Sequence, residues 1–254
     1  MCRHIGYIGK KKDLNSILLK HKHSLIELAY KPKHMKEAKL NADGFGLAWK
    51  NEKKFQLYKN YIPIWNDLNL SSICKSISSS LVIGNVRSAT IIENQGYFNT
   101  HPFYYKNYIF SHNGYIKEFN SITKDRIYKK LNIKFKNLVK GNTDSELIFI
   151  LLMQYINNTN NIEESIRDVI EIIKTNFSAC MLNFLLATIN EKGKDTLFAT
   201  KFAKGLKAPS LFYIKNKNHN ITVSSEKLNE QNWITIKNNS LLRIHNSKII
   251  IKSI

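Results

Sequence analysis

Cys2 is the residue of this chain with the clearest potential for nucleophilic chemistry. If Met1 is removed, Cys2 carries both a thiol that can attack a carbonyl carbon and an α-amine that can take the thiol's proton. The usual pKa of an α-amine is about 7.7–8.0 and that of a thiol about 8.5, so the two exchange protons readily near neutral pH. The alternative is that Cys2 merely follows the start methionine.

Arg87 closes the strand-like run Leu81–Arg87 in a chain whose cations are mostly lysines. A guanidinium binds a carboxylate through two parallel hydrogen bonds, which an ammonium group cannot do. The segment therefore predicts a carboxylate-binding residue, with a surface salt bridge as the alternative. The glycine-rich segment 41–46, Asn-Ala-Asp-Gly-Phe-Gly, is equally consistent with a simple turn before a strand.

Asn113 and Gly114 lie between two strand-like runs, Tyr108–His112 and Tyr115–Phe119. An Asn-Gly pair in this context predicts a type I′ hairpin turn. The side-chain amide of Asn113 and the backbone N–H of Gly114 are also donors of the kind that stabilise an oxyanion. The two interpretations are compatible.

Asp144 lies at the predicted start of a helix, where Thr143 and Glu146 have the spacing of a capping box. A carboxylate at this position suits the positive end of the helix dipole and could also hold an ammonium group. Together, these segments supply a nucleophile with its base, a guanidinium, a carboxylate and oxyanion donors. Such a set would bind an α-amino acid by its head and cleave an acyl bond on its side chain.

The elements that must position these groups follow from hydrophobic periodicity. Many strands with a few helices between them predict two antiparallel sheets covered by helices, in a single α+β domain over residues 1–254. The predicted strands are Cys2–Ile8, Phe45–Trp49, Phe55–Lys59, Leu81–Arg87, Tyr108–His112, Tyr115–Phe119, Ala179–Ile189, Thr196–Thr200, Ser210–Ile214, Ile221–Ser224, Leu241–His245 and Lys248–Lys252. The predicted helices are Asp13–Lys20, Ser24–Tyr30, Leu68–Ser78, Thr143–Ile156 and Ile162–Thr175.

Composition excludes several classes of protein. The longest apolar run, residues 146–156, is shorter than the roughly 20 residues of a membrane span, and no secretory leader is recognised. We therefore expect a cytoplasmic protein without a membrane partner. The formal net charge is +20, but the lysines are spread along the whole chain, so a specific nucleic-acid partner is not expected. The three cysteines form no CxxC pair, and Cys74 and Cys180 are expected to be buried filler.

Several motifs, in order along the chain, match one family. They are Met1-Cys2-Arg3-His4, Asn41–Gly46, Pro63–Leu70, Val86–Thr90, Asn99–Phe103, His112–Gly114 and Thr143–Glu146, with later echoes at Ala208–Tyr213 and Val223–Glu226. On these motifs the chain resembles the class II glutamine amidotransferases, and most closely the stand-alone branch that includes the γ-glutamyl hydrolase of ergothioneine biosynthesis. The resemblance implies an N-terminal-nucleophile (Ntn) hydrolase fold, a four-layer αββα sandwich of two antiparallel sheets.

The resemblance also assigns roles to individual residues. It implies Cys2 as the nucleophile with its own amine as the base, and Asn113 and Gly114 as the oxyanion donors. It implies substrate binding by Arg87 for the α-carboxylate, by Asp144 for the α-amine, and by Thr90.

No cofactor and no metal are expected. A metal site built from Cys2, His4, His101 and His112 is conceivable by ligand type, but the metal would occupy the nucleophile. We therefore expect His101 and His112 to be packed, hydrogen-bonded strand histidines.

Ser88 follows Arg87 where amidotransferases fused to a synthase usually have tryptophan. A small residue there could leave room for a bulky group on the γ-amide. The resemblance thus implies an amidohydrolase that cleaves a γ-glutamyl amide, either glutamine or a substituted compound such as the ergothioneine precursor, through a Cys2 thioester, releasing glutamate. The alternatives are a glutaminase subunit that supplies ammonia to a separate synthase subunit, and a non-catalytic nucleic-acid-binding protein on this scaffold.

Overall fold

The computed structural model describes residues 2–34, 40–89 and 96–254. Met1 and Thr90 lie outside the described residues, so the predictions that concern them stay predictions. All strand pairings among the described residues are antiparallel, and they build two sheets.

The first sheet has β1 near its centre, between β11 and β4. Because neighbouring strands are antiparallel, the first residue of β1 lies beside the last residues of β4 and β11, at one end of the sheet. In the order in which they pair, its seven strands are β12 (Ile234–Thr235), β10 (Phe212–Lys215), β11 (Ile221–Ser224), β1 (Arg3–Asp13), β4 (Ser78–Val86), β2 (Phe45–Asn51) and β3 (Lys54–Asn60).

The second sheet has the long buried strand β7 near its centre. In order, its strands are β14 (Lys248–Ser253), β13 (Ser240–His245), β8 (Asp195–Lys201), β7 (Cys180–Ile189), β6 (Tyr108–Ile116) and β5 (Phe103–Tyr105), while the short β9 (Ala203–Lys204) pairs with β7 off this path.

The two sheets pack face to face, and helices cover both outer faces. Side chains such as Ile83 from β4 and Leu185 from β7 share one buried apolar cluster between the sheets. The outer face of the first sheet packs against α1 (Leu25–Tyr30) and α2 (Leu70–Ser76). The outer face of the second packs against helices that include α5 (Asp144–Thr159) and α6 (Ile162–Asn176). Burial of these apolar faces on both sides of each sheet produces the four-layer arrangement.

Most predicted strands are present with ends shifted by a few residues, but the Asn113-Gly114 hairpin is wrong. The runs Tyr108–His112 and Tyr115–Phe119 form the single strand β6, which pairs with β7 along its whole length. The predicted helix Asp13–Lys20 is also wrong in part, because β1 continues to Asp13 and a short π-helical turn follows at Asn15–Leu19. Two helices, α3 (Ser121–Tyr128) and α4 (Ile133–Lys136), were not predicted from the sequence.

Within the part of the chain that the structure describes, no helix combines the length and the apolar character needed to cross a membrane.

Candidate active site

Cys2 lies one residue before β1, at the end of the first sheet where β1 begins and β4 ends. The ladder between β1 and β4 begins with the pair Arg3–Val86, and Arg87 is the residue that follows β4. Cys2 and Arg87 therefore flank neighbouring strands at the same end of the sheet, although 85 positions separate them in the sequence. Both are almost fully buried, with 8% and 3% of their surface exposed. The strand pairing thus brings together the candidate nucleophile and the candidate carboxylate-binding residue.

The segment 41–46 shapes the loop around Arg87. The Arg87 backbone N–H donates to the Gly44 carbonyl at 2.8 Å, and the Asp43 N–H donates to the Arg87 carbonyl at 3.0 Å. Gly44 has a φ of +111°, and a Cβ there would meet the Asn60 carbonyl at 2.9 Å, so only glycine fits. The Asp43 carboxylate accepts the backbone N–H of Ala89 at 2.7 Å. The glycine-rich segment is therefore a fitted support for the arginine loop.

Asn113 lies in β6 of the second sheet, at the same end of the sandwich as Cys2. Its side chain is fully buried, and its Nδ2 donates to Ser225 Oγ at 3.4 Å. Ser225 Oγ also accepts the backbone N–H of His4, two residues after Cys2, at 3.0 Å. Ser225 thus bridges the candidate oxyanion donor and the strand that follows the nucleophile. Gly114 is needed inside β6 because a Cβ there would collide with the Met181 carbonyl.

Asp144 opens α5 and is half-buried. Its carboxylate accepts the N–H of Ile116, the last residue of β6, at 2.7 Å and the N–H of Ser145 at 2.7 Å. These bonds tie the first helical residue to the strand that carries Asn113. The predicted capping box is only half correct: Thr143 Oγ1 accepts the Glu146 N–H at 3.3 Å, but the Glu146 carboxylate accepts N–H groups of residues 140 and 141 instead.

The histidines of the motifs are buried and uncharged at neutral pH. His112 is hydrogen-bonded through both ring nitrogens, to Ser145 Oγ and to the Met181 carbonyl, each at 2.9 Å, so this prediction is confirmed. His101 is equally buried, but neither ring nitrogen has a hydrogen-bond partner among the described residues, which corrects the expectation of a hydrogen-bonded histidine. Burial lowers the pKa of His4 to about 3 and that of His101 well below its usual value.

The described residues contain no metal cluster, and Cys74 and Cys180 lie in surroundings that suppress thiol reactivity. No three histidine, cysteine or acidic side chains there are placed to hold a metal ion. Burial raises the pKa of the Cys74 thiol to about 12 and also raises that of Cys180, so both thiols stay protonated and unreactive.

Buried polar residues that had no predicted role link these groups. Ser111 Oγ contacts His4 Nδ1 at 3.2 Å and accepts from Asn85 Nδ2 at 3.0 Å. Arg3 forms a fully buried ion pair with Glu226. Two motifs carried a signal for them: Met1-Cys2-Arg3-His4 contains Arg3 and His4, and Val223–Glu226 contains Ser225 and Glu226.

Comparisons with known proteins identify the family of the chain. The sequence profile of the family "Glutamine amidotransferases class-II" matches residues 23–204. The chain is 32% identical over 164 residues to the probable glutamine amidotransferase DUG3 of Saccharomyces cerevisiae, covering 60% of this chain and 45% of that protein. It is 31% identical over 120 residues to the γ-glutamyl-hercynylcysteine sulfoxide hydrolase of Mycolicibacterium smegmatis, covering 46% of this chain and 52% of that protein. The chain thus spans about half the length of these curated relatives.

A solved structure supports the fold independently. A glutamine aminotransferase class-II domain protein from Silicibacter pomeroyi superposes with a TM-score of 0.70 over 99% of both chains, at 21% identity. The likeness confirms the predicted α+β fold with two antiparallel sheets. Because the profile matches well over half of the sequence, the chain belongs to the class II glutamine amidotransferases.

Proposed function

We propose that this protein hydrolyses a γ-glutamyl amide through a thioester on Cys2 and releases glutamate. The observation that carries the proposal is that Cys2, Arg87 and Asn113 lie together at one end of the sandwich. Ser225 bridges the two sheets there, through hydrogen bonds to the His4 N–H and to Asn113 Nδ2. Two relatives also act on such bonds by name: the γ-glutamyl-hercynylcysteine sulfoxide hydrolases of Mycobacterium tuberculosis and Mycolicibacterium smegmatis.

In this proposal the glutamate head of the substrate is held at two points. The Arg87 guanidinium pairs with the α-carboxylate, and the Asp144 carboxylate pairs with the α-ammonium group. Charge-assisted hydrogen bonds of this kind are strong and directional, so they fix the γ-carbonyl relative to Cys2. Thr90 remains a proposed substrate contact.

The chemistry is an acyl transfer in two halves. The Cys2 α-amine takes the thiol proton, the thiolate attacks the γ-carbon, and the Asn113 amide and the Gly114 N–H donate to the resulting oxyanion. Each such donor contributes about 3 kcal/mol to the transition state. The amine then gives its proton to the leaving nitrogen, and the C–N bond breaks to leave a thioester. Water attacks the thioester, the amine takes the water's proton and returns it to sulfur, and glutamate leaves.

The group on the γ-nitrogen is proposed to be larger than hydrogen. Ser88, half-buried beside Arg87, presents only a hydroxymethyl group next to the proposed binding residue. We further propose that residues 1–254 act as one domain and work in the cytoplasm on a small γ-glutamyl molecule. A synthase subunit that receives ammonia is the competing arrangement.

Glutamate release tests the proposal directly. The purified protein, checked by intact mass for loss of Met1, is given glutamine and a panel of larger γ-glutamyl amides, with Cys2→Ala as the control. We expect turnover by the wild type, none by the variant, and a preference for a substituted amide. Turnover of glutamine alone, appearing only after addition of cell extract, would favour the ammonia-supplying subunit. No turnover by protein that lacks Met1 would contradict hydrolysis.

A further inference from the structure

We propose that Arg3 is a positioning residue for the nucleophile, and that Glu226 anchors it. The proposal rests on the proposed function, in which Cys2 attacks the substrate. Arg3 Nη1 donates to the Cys2 carbonyl at 2.9 Å, and Arg3 Nε donates to Glu226 Oε1 at 2.9 Å. One guanidinium therefore holds the main chain of the nucleophile with one nitrogen and a buried carboxylate with another.

Cys2 needs such a support because of its place in the chain. The strand ladder begins at Arg3, so Cys2 lies one residue outside the pairing that fixes the rest of β1. Holding the Cys2 carbonyl fixes the peptide group that joins Cys2 to β1, and with it the position of the Cys2 Cα. That Cα carries both the thiol side chain and the α-amine, so a shift of the peptide group displaces both reacting groups. A displacement of about 1 Å at a reacting group lowers the rate about 100-fold, so this support bears on turnover.

Glu226 is itself fixed in place. It lies two residues after β11, and its two carboxylate oxygens accept the backbone N–H groups of Lys33 at 2.8 Å and His34 at 3.0 Å as well as Arg3 Nε. The exposed fraction of the side chain is 2%, and that of Arg3 is 0%. The guanidinium is therefore held by a carboxylate with little freedom to move.

Stability alone does not explain the buried ion pair between Arg3 and Glu226. Burial lowers the pKa of the Arg3 guanidinium, although the charge of Glu226 opposes this effect. Buried ion pairs replaced by apolar side chains of similar volume often leave a protein equally stable or more stable. A lysine at position 3 would also lack the planar fork that reaches two acceptors at once. Position 3 thus requires arginine, because only the guanidinium can contact Glu226 with one nitrogen and the Cys2 carbonyl with another.

The test separates positioning from folding. Arg3→Met leaves the buried Glu226 carboxylate without the guanidinium and is expected to lower both the melting temperature and kcat. The double variant Arg3→Met/Glu226→Gln removes both charges but keeps an amide oxygen that can accept the backbone N–H groups of Lys33 and His34. We expect its melting temperature to recover while kcat stays about 100-fold below wild type with KM changed less than about threefold. Lys50→Met, which breaks the ion pair between Lys50 and Asp195, is the matched control and should lose stability but keep kcat.

Cys2 alkylation by iodoacetamide, followed by intact mass, gives a readout that does not depend on turnover. Iodoacetamide is free in solution, so its rate follows the exposure of the thiol, and Cys2 is only 8% exposed. We expect the alkylation rate of the double variant to rise about tenfold as Cys2 loses its support, while the buried Cys74 and Cys180 stay unmodified. A double variant with wild-type kcat, or with wild-type alkylation where no substrate is turned over, would overturn the role of Arg3. If the wild type turns over no substrate, but the alkylation rate of Cys2 still differs between the double variant and the wild type as expected, the result would count against the proposed function alone.

Discussion

The two ends of the sandwich contain different kinds of buried polar residues. At the end opposite Cys2, Lys50 Nζ binds Asp195 Oδ1 at 2.6 Å and the Gly193 carbonyl at 2.7 Å, while Ser80 Oγ donates to Asp195 Oδ2 at 2.8 Å. This group is partly solvated and every charged atom named has a partner. At the Cys2 end, fully buried atoms lack hydrogen-bond partners among the described residues, among them His4 Nε2, Asn85 Oδ1, Asn113 Oδ1 and both ring nitrogens of His101.

The difference indicates what each end is selected for. A buried polar atom without a partner lowers stability by about 1–3 kcal/mol, so native proteins contain few of them. Their concentration at one end of the molecule is typical of a site that binds a polar substrate or orders water around it. The ends should therefore respond oppositely to mutation: changes at the Cys2 end should affect turnover more than stability, and changes at the Lys50 end the reverse.

Cys2→Ala is the strongest test of this contrast. We expect kcat for any γ-glutamyl substrate to fall about 10³-fold or more, because both the thiol attack and the thioester are lost. The melting temperature should change little, since only one sulfur atom is removed. Protein that retains Met1 should behave in the same way, because its Cys2 nitrogen is an amide and cannot act as a base. Full activity in protein shown by intact mass to keep Met1 would contradict the role of the amine.

Asn113→Ala tests whether the side-chain amide of Asn113, at the Cys2 end, serves catalysis as an oxyanion donor. Loss of one oxyanion donor should lower kcat about 10²–10³-fold and leave KM nearly unchanged. Asn183 is a matched control, because it lies directly opposite on β7, is equally buried and also has an Oδ1 without a partner. Asn183→Ala should keep kcat within about threefold of wild type. Equal losses in the two variants would show that the effect comes from the strand pair and not from the amide of Asn113.

The candidate site residues could be singled out from the sequence, but the contacts between them could not. Cys2, Arg87 and Asp144 were singled out from residue type and local context, because each stands at the start or end of an element, and their roles stay predictions. The Asn113-Gly114 turn was wrong because glycine is needed there for a different reason: the close approach of Met181, which no local pattern reveals. Arg3 and Glu226 are 223 positions apart, so only the folded sheet brings them together.

Ser88→Trp sharpens the contrast in terms of specificity. An indole is far larger than the hydroxymethyl group of the half-buried Ser88, so kcat/KM should fall at least about tenfold more for a substituted γ-glutamyl amide than for glutamine. Ser88→Ala, which adds no bulk, should treat both substrates like the wild type. Equal losses on both substrates in the tryptophan variant would show that position 88 does not determine the size of the leaving group.

His101→Leu should change stability in a way that depends on pH. Burial lowers the pKa of His101 well below 6.5, so the native state keeps the ring neutral while the unfolded chain takes up a proton below that pH. The wild type must therefore lose stability as the pH falls from 6.5. The leucine variant lacks this proton uptake and also removes two ring nitrogens without partners. We expect its free energy of unfolding in urea to decrease by about 2 kcal/mol less than that of the wild type between pH 7 and pH 5. Lys50→Met changes no histidine, so it should lose the same stability at both pH values. Parallel pH profiles for the wild type and His101→Leu would contradict this account.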